Sequence, residues 1–177
     1  IQQGHELIIV NIEVRNPDLS QVLKKSHLQI DKDRVYGDGD CERLFLDTAD
    51  YLSYMGAVII QKALWDVREK TEYLDTAFLH VGVIFQDVIR STLVIAEPLI
   101  LHRYGNATWS PRAFEIGAFR WPKTIWSFRN YSDDVKRRVC LREGWRDYRR
   151  LIVLRAFGTF SIDEYKRWIK PLQVREA

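Results

Sequence analysis

Cysteine and long apolar runs are both scarce in this sequence, and each absence excludes a class of protein. The two cysteines, Cys41 and Cys140, lie far apart without the spacing of a metal site. We expect two unpaired thiols in a reducing compartment rather than a disulfide framework. No segment approaches the roughly 20 apolar residues that a helix needs to cross a bilayer. The sequence opens at Ile1 without a signal pattern, so we expect a cytoplasmic chain that is either trimmed or a fragment.

The common short catalytic and nucleotide-binding motifs are also absent. The sequence contains no G-x-x-x-x-G-K phosphate loop, no G-x-S-x-G nucleophile elbow and no H-E-x-x-H zinc motif. Its aromatic residues do not follow the order of an RNA-binding motif. What the 177 residues do contain is 46% hydrophobic side chains and six tryptophans, which predict one domain with a packed core.

Charge is distributed unevenly along the chain. Residues 1–88 contain 9 Lys and Arg against 15 Asp and Glu, whereas the remaining residues contain 18 against 9. A basic half is typical of a surface that meets an anionic partner, and it is equally typical of solvated helical faces. In the segment 146–157, arginines share one side of a predicted helix, and Leu151, Leu154 and Phe157 form an apolar stripe. Such a helix either docks on an anionic membrane surface or packs its stripe on the sheet.

Apolar periodicity predicts strands in the first part of the chain. Strand patterns occupy residues 6–15, 28–36, 55–61 and 92–102. Pro98 interrupts the last of these, which favours a sheet edge or a bulge at that point because proline cannot donate a ladder hydrogen bond. Strands followed by helices, without repeats or low complexity, predict a mixed α/β body with a helical C-terminal part.

Helix signals lie between the strands and dominate from residue 110 onward. Residues 42–53 and 76–89 carry helical periodicity, and Asp40 is a candidate cap for the first of these helices. The last helix begins at Ser161 with the capping box S-I-D-E. Pro122 is predicted to break or kink its helix, and the last helix is predicted to end before Pro171.

Two D-x-D tripeptides occur, at residues 31–33 and 38–40. Paired carboxylates are the ligands with which Mg²⁺ or Mn²⁺ is held against a diphosphate. Three-residue matches are common by chance in acidic loops, and neither tripeptide closes an apolar strand. We therefore assign no metal site within this chain.

The segment 73–80 contains the most reactive side chains of the chain. Asp75 fits either a helix cap or a general base that accepts a proton from an attacking hydroxyl. His80 lies among apolar residues, where a histidine is either a hydrogen-bonded core residue or a functional group. Tyr73 and Thr76 flank Asp75 and could line the same pocket.

The strand predicted at 92–102 delivers polar and aromatic groups to one place at its carboxyl end. Open α/β sheets build ligand sites at such strand ends. We expect Arg103, Asn106 and Trp109 to converge on a pocket that residues 73–80 also border. The alternative is a core position for Trp109 and a surface ion pair for Arg103.

The order of these segments resembles that of family-2 glycosyltransferases, the inverting enzymes of bacterial polysaccharide synthesis that use nucleotide-sugar donors. The resemblance rests on ELIIVN, MGAVIIQKALW, YLDTAFLHVGVIF and LILHRYGNATW, followed by RWPKTIWSF and LRAFGTFS. It implies the GT-A fold, a nucleotide-binding α/β sheet. Residues 1–109 would form the C-terminal, acceptor-binding half of that mixed-sheet domain. Residues 110–177 would form a helical extension packed on it.

The resemblance also implies a reaction and a site. Asp75 would be the base nearest the transfer centre, and His80 would face the donor diphosphate or the metal. A further set would bind acceptor or donor, with Trp109 as a stacking platform: Tyr73, Thr76, Arg103, Asn106 and Trp109. Mg²⁺ or Mn²⁺ is expected for the full-length enzyme, together with an upstream segment of roughly 80–120 residues that supplies the D-x-D motif. Without that half, the chain is expected to bind a nucleotide-sugar poorly.

Two classes of function follow from these patterns. The first is a nucleotide-sugar-dependent glycosyltransferase that acts on a saccharide acceptor, free or lipid-linked, in the cytoplasm or at the inner face of the cell membrane. The second is a non-catalytic module that docks on a membrane or protein partner through its basic aromatic helices. Neither class predicts a nucleic-acid partner. A sheet cut through its middle would expose an edge at 6–15 or 55–61, which predicts a homodimer.

Overall fold

The computed structural model describes residues 4–105 and 110–176, in which a mixed sheet is covered by helices. The sheet has the order β2-β1-β5-β3, and β4 pairs with β1 beside β2. The pairing of β1 with β5 is parallel, and every other pairing among the described strands is antiparallel. The strands are β1 (Leu7–Arg15), β2 (Val22–Lys24), β3 (Arg34–Gly37), β4 (Val58–Ile60) and β5 (Ser91–Arg103).

The two long strands confirm the strand predictions for residues 6–15 and 92–102, and of the two places predicted for a sheet edge, 6–15 or 55–61, the second lies at the edge. β1 is an interior strand, because β5 pairs with one side of it and β2 and β4 pair with the other. The strand predicted at 55–61 forms only at Val58–Ile60 and lies at the edge of the sheet. The homodimer based on such an edge stays a prediction.

Pro98 changes the register between β1 and β5. The pairing shifts around Asn11, whose partner is Pro98, and then continues evenly to Arg103. Asn11 is fully buried, and its side-chain amide donates to the carbonyl oxygens of Ala96 (2.8 Å) and Leu28 (3.1 Å). Because proline has no N–H to donate, this amide supplies a cross-strand hydrogen bond beside the interruption. The predicted bulge at Pro98 is therefore confirmed.

The helices are short and alternate with turns. They are α1 (Cys41–Thr48), α2 (Lys62–Val67), α3 (Leu79–Phe85), α4 (Ala113–Glu115), α5 (Trp121–Ser127), α6 (Asp133–Val139), α7 (Tyr148–Ala156), α8 (Ile162–Glu164) and α9 (Lys170–Glu176). Within the described ranges, none of the helices combines the length and apolar character required for crossing a membrane.

The two predicted caps have different outcomes. The hydroxyl of Ser161 accepts the backbone N–H of Glu164 at 3.2 Å, which confirms the cap. Asp40 precedes α1, but its carboxylate accepts the N–H of Gly37 at 3.0 Å instead of capping the helix. The side chain therefore stabilises the turn before the helix rather than the helix itself.

Pro122 and Pro171 do not end their helices, so the termination predicted at Pro171 is wrong. A π-helical turn precedes each of them, at Ile116–Arg120 and Tyr165–Ile169. Proline has no N–H and so cannot make the usual hydrogen bond of an α-helix. A π turn, in which hydrogen bonds join residues five apart, accommodates this missing bond, so the chain stays helical through both positions.

The core has two parts, which the helical stretch 113–127 connects. The larger part lies between the sheet and helices α1, α3, α5 and α6. Its centre is an aromatic cluster with ring centroids 4.4 to 6.2 Å apart, made of Phe45, Phe85, Phe128 and Tyr131. The smaller part surrounds Phe114, Ala118 and Ile169. The division of the chain into domains at residue 110 stays a prediction, and residues 121–135 contribute side chains to the larger core.

Both cysteines are free thiols, as the sequence predicts. Burial raises the pKa of the Cys140 thiol to about 12. A thiol with this pKa stays protonated at neutral pH and is a poor nucleophile.

Candidate functional site

A cavity of about 450 Å³ lies next to the carboxyl end of β5, where the larger and smaller cores meet. Phe78, Ile116 and Trp121 line it from the larger core, and Leu154 lines it from the smaller one. Tyr104 follows the last residue of β5 and lines the same space. The volume suits a small ligand such as a sugar unit.

The turn before α3 forms one wall of the cavity and has an unusual backbone. Ala77 has φ +70°, a conformation that non-glycine residues rarely adopt, and both Ala77 and Phe78 line the cavity. The Thr76 hydroxyl holds this turn: it donates to the Tyr73 carbonyl (2.7 Å) and accepts the Phe78 N–H (3.0 Å). The helix predicted from residue 76 therefore begins only at Leu79. Backbone strain of this kind is typical of sites that position a functional group.

Asp75 lies at the start of this turn with its side chain exposed. Its backbone carbonyl accepts a hydrogen bond from the Arg120 guanidinium. Arg120 in turn is paired with Glu115 at 2.6 Å, and Arg112 binds the same carboxylate at 3.0 Å. The hydrogen bond from Arg112, with a further one from Arg120, holds the pKa of Glu115 below its usual range. The ion pairs of Glu115 with Arg112 and Arg120 thus hold the guanidinium that binds the Asp75 backbone. The Asp75 carboxylate itself makes no hydrogen bond to any described residue.

Tyr73 and Thr76, predicted to bind substrate, are buried side chains. The ring of Tyr73 lies directly against Gly82 of α3 and packs beside Phe128 at 6.3 Å between centroids. Thr76 uses its hydroxyl within the turn. Neither side chain is among those that line the cavity, and their contact with a ligand stays a prediction.

His80 is buried in the larger core at 7% exposure. Its Nε2–H donates to the backbone carbonyl of Leu52. Burial lowers the pKa of His80 below its ordinary value, so the ring is neutral at physiological pH. The contact ties α3 to the turn at Tyr51–Ser53, which is the hydrogen-bonded core role that the sequence pattern also allowed.

Of the three residues predicted to converge after β5, the structure describes Arg103. The Tyr104 N–H donates to the Arg15 carbonyl at 2.8 Å, which extends the sheet to this point. Arg103 is exposed, and its side chain has no ion pair within the described part of the chain. Asn106 and Trp109 lie outside the described residues. The convergence of Arg103, Asn106 and Trp109 on the cavity therefore stays a prediction.

Two charged residues that the sequence did not single out as site residues line the cavity: Asp50 and Arg150. Asp50 follows α1 in a stretch without a motif. Arg150 belongs to the run Arg149-Arg150, and the helical pattern placed it on a solvated side. Whether the Arg150 side chain faces the cavity depends on how α7 packs against the rest of the protein, and a single sequence does not reveal this packing.

Three of the four D-x-D carboxylates make local contacts. Asp33 accepts the Ala96 N–H at 2.8 Å, Asp40 accepts the Gly37 N–H, and Asp31 lies 3.5 Å from Arg34. Among residues 4–105 and 110–176, no group of three or more His, Cys, Asp and Glu side chains is arranged to hold a metal ion. The Mg²⁺ or Mn²⁺ that the resemblance implies for the full-length enzyme stays a prediction.

Comparisons with models of known protein families, with curated proteins and with solved structures found no match to this chain.

Proposed function

We propose that the chain forms the acceptor-binding part of an inverting glycosyltransferase that uses a nucleotide-sugar donor. The supporting observation is the cavity at the carboxyl end of β5, whose wall includes Ala77 and Phe78 of the strained turn that follows Asp75. The order of sequence segments that resembles family-2 glycosyltransferases supports the same assignment and suggests a saccharide acceptor.

Asp75 is the proposed general base. Its carboxylate is exposed and unpaired among the described residues, whereas Arg120 holds its backbone in place. In the proposed reaction the carboxylate accepts the proton of an acceptor hydroxyl, whose oxygen forms a bond to the anomeric carbon of the donor sugar. The bond from that carbon to the diphosphate breaks on the opposite side, so the configuration inverts and the nucleoside diphosphate leaves with the electron pair. The Mg²⁺ or Mn²⁺ that the resemblance implies for the full-length enzyme would neutralise the departing diphosphate.

Asp75→Asn in the protein expressed from its complete gene tests this proposal. Release of nucleoside diphosphate is measured with a panel of UDP-, GDP-, CDP- and dTDP-sugars and mixed saccharide acceptors. We expect kcat to fall by about 100-fold or more, because Asn cannot accept the proton, while the KM for the donor changes little. The matched control is Glu72→Gln, which removes an exposed carboxylate three positions away and should leave kcat within about twofold. Full activity of Asp75→Asn, or no release with any donor, would refute the assignment.

A second candidate function, docking on an anionic membrane, is favoured by the outer face of α7. Tyr148, Ile152 and Val153 are 64%, 64% and 51% exposed on this helix, and none of its residues is buried. Exposed Arg149 and Arg155 lie on the same helix. Basic side chains beside exposed aliphatic and aromatic ones suit the interface of a membrane that contains anionic lipid. This surface is compatible with the transferase, since it would place the cavity near a lipid-linked acceptor.

A further inference from the structure

Arg150 is a cation without a partner in the wall of the cavity. It is half-buried, and its side chain forms no ion pair or hydrogen bond with any described residue. The Nε–Nη2 edge of its guanidinium lies next to Gly117: a methyl group added there would come within 3.1 Å of Nη2 and 3.3 Å of Nε. The missing side chain at Gly117 thus allows the guanidinium to rest on the helix backbone. Partial burial makes an unpaired charge costly, so an anion that enters the cavity would gain a strong partner.

The backbone of Arg150 is held in place independently of its side chain. The Asp147 carboxylate accepts the Arg150 N–H at 3.2 Å and caps α7. Leu151 and Leu154 pack in the smaller core and fix the rotation of the helix. The guanidinium is therefore presented to the cavity by a rigid element, which reduces the entropy lost when it binds a ligand.

Trp121 contributes apolar surface to the same wall. Its side chain is 2% exposed and lines the cavity. Its indole N–H is buried and has no hydrogen-bond partner among the described residues. The ring therefore shapes the cavity, and Arg150 supplies a charged donor in its wall.

Asp50 gives the cavity a charge of the opposite sign. Its exposed carboxylate lines the space but lies farther than ion-pair distance from Arg150, since no ion pair joins them. A carboxylate accepts hydrogen bonds from sugar hydroxyls, and the apolar side chains of Phe78 and Leu154 suit the faces of a sugar ring. A ligand that carries both hydroxyls and an anionic group would satisfy all of these residues.

We propose that the cavity binds a sugar bearing an anionic group, a carboxylate or a phosphate, and that Arg150 recognises that group. The inference rests on the proposed function in one respect: the sugar is the acceptor of the transfer reaction. The two sources of negative charge are a uronic acid and a sugar phosphate, which includes the head of a lipid-linked saccharide. The planar guanidinium matches the oxygens of either group with paired hydrogen bonds.

Isothermal titration of the 177-residue protein with glucuronate, glucose 1-phosphate and glucose tests the proposal at low ionic strength. We expect one or both anionic sugars to bind at least about tenfold more tightly than glucose, the ratio that one charge-assisted contact supplies. Arg150→Met should remove that difference. The neighbouring exposed residue provides the control, because Arg149→Met should leave all three affinities within about twofold.

A second variant tests the geometry if Arg150→Met proves unstable. Gly117→Ala keeps the charge but places a methyl group against the guanidinium, so the affinity for the anionic sugar should fall while that for glucose does not. Preference for glucuronate identifies a carboxylate, and preference for glucose 1-phosphate identifies a phosphate. Binding of both anionic sugars no tighter than glucose, or affinities unchanged by Arg150→Met and Gly117→Ala, would overturn the proposal. The titration needs no sugar transfer, so its failure is distinguishable from a failure of the proposed enzymatic function.

Discussion

At the scale of the residue, Gly82 decides whether α3 can pack against Tyr73. A methyl group at Gly82 would lie 2.2 Å from the ring of Tyr73, far inside contact distance, and both residues are buried. We expect Gly82→Ala to lower the free energy of unfolding by about 1–3 kcal/mol, because the ring has no free space to move into. Urea unfolding measures the change. Gly39→Ala is the control, since nothing lies within 4 Å of the added methyl group, and it should cost less than about 0.5 kcal/mol.

The same clash gives a sharper form of this test. Replacing Tyr73 by Ala in the Gly82→Ala protein removes the ring that the methyl group meets. The second substitution should therefore cost less in that background than in the wild-type protein. If Tyr73→Ala lowered the free energy of unfolding equally in both backgrounds, the clash between the added methyl group and the Tyr73 ring would not be the cause of the destabilisation.

Individual residues also show where sequence patterns stop being informative. The apolar neighbours of His80 predict its burial, but they do not name the Leu52 carbonyl, which comes from a turn 28 positions away. The charged neighbours of Arg150 predict that its side chain is solvated, whereas it is half-buried in the wall of the cavity. Both outcomes depend on the packing of distant segments, which local periodicity does not encode.

At the scale of the element, strands were easier to predict than helix ends. The long apolar patterns of β1 and β5 fix both strands to within one residue, because runs rich in β-branched and other apolar residues are typical of strands. Helix ends near Pro122 and Pro171 were not predictable. The π turns that carry the helix past each proline have no residue signature of their own.

Helix α7 carries the prediction that belongs to this scale. Leu151 and Leu154 of the apolar stripe pack in the smaller core, yet Phe157 is 68% exposed, and a second apolar face that includes Ile152 points outward. We expect the protein to co-sediment with vesicles that contain phosphatidylglycerol and not with pure phosphatidylcholine. Binding should weaken with salt, because each cation near the surface contributes about 1 kcal/mol.

Two substitutions separate the apolar and electrostatic contributions to this binding. Ile152→Asp should abolish sedimentation, and Arg149→Gln should lower the membrane partition coefficient by about fivefold. Lys62→Gln is the matched control, since Lys62 is an exposed cation in the acidic half of the chain. Equal binding to both kinds of vesicle would leave the outer face of α7 without a role in membrane docking.

At the scale of the whole molecule, the cavity is a product of how two cores meet. The stretch 113–127 gives Ile116 and Trp121 to the larger core and Phe114 to the smaller one. The sequence predicts a mixed α/β body followed by helices, and the structure has that order. The sequence did not predict the smaller core, because the residues that form this core come from separate helices with weak individual patterns. A site between two cores is therefore visible only after the packing is known.

Histidine burial makes the stability of the whole molecule depend on pH. Burial lowers the pKa of His27, His80 and His102 below their ordinary value of 6.5. As the pH falls through 6.5, the unfolded chain takes up protons that the folded chain still excludes. The unfolding free energy should therefore be highest above that value and should decrease as the pH falls toward the lowered pKa values. Each unit of pKa depression is worth at most about 1.4 kcal/mol.

Urea unfolding between about pH 7.5 and about pH 5.5 measures this dependence, in a range above the titration of most carboxylates. His80→Gln isolates the largest burial, because Gln has no proton to gain and its side-chain N–H can still reach the Leu52 carbonyl. We expect the variant to lose less stability than the wild-type protein as the pH falls. Equal losses in the two proteins would mean that His80 is protonated as readily in the folded chain as in the unfolded one, and its burial in the larger core would then not account for its neutral state.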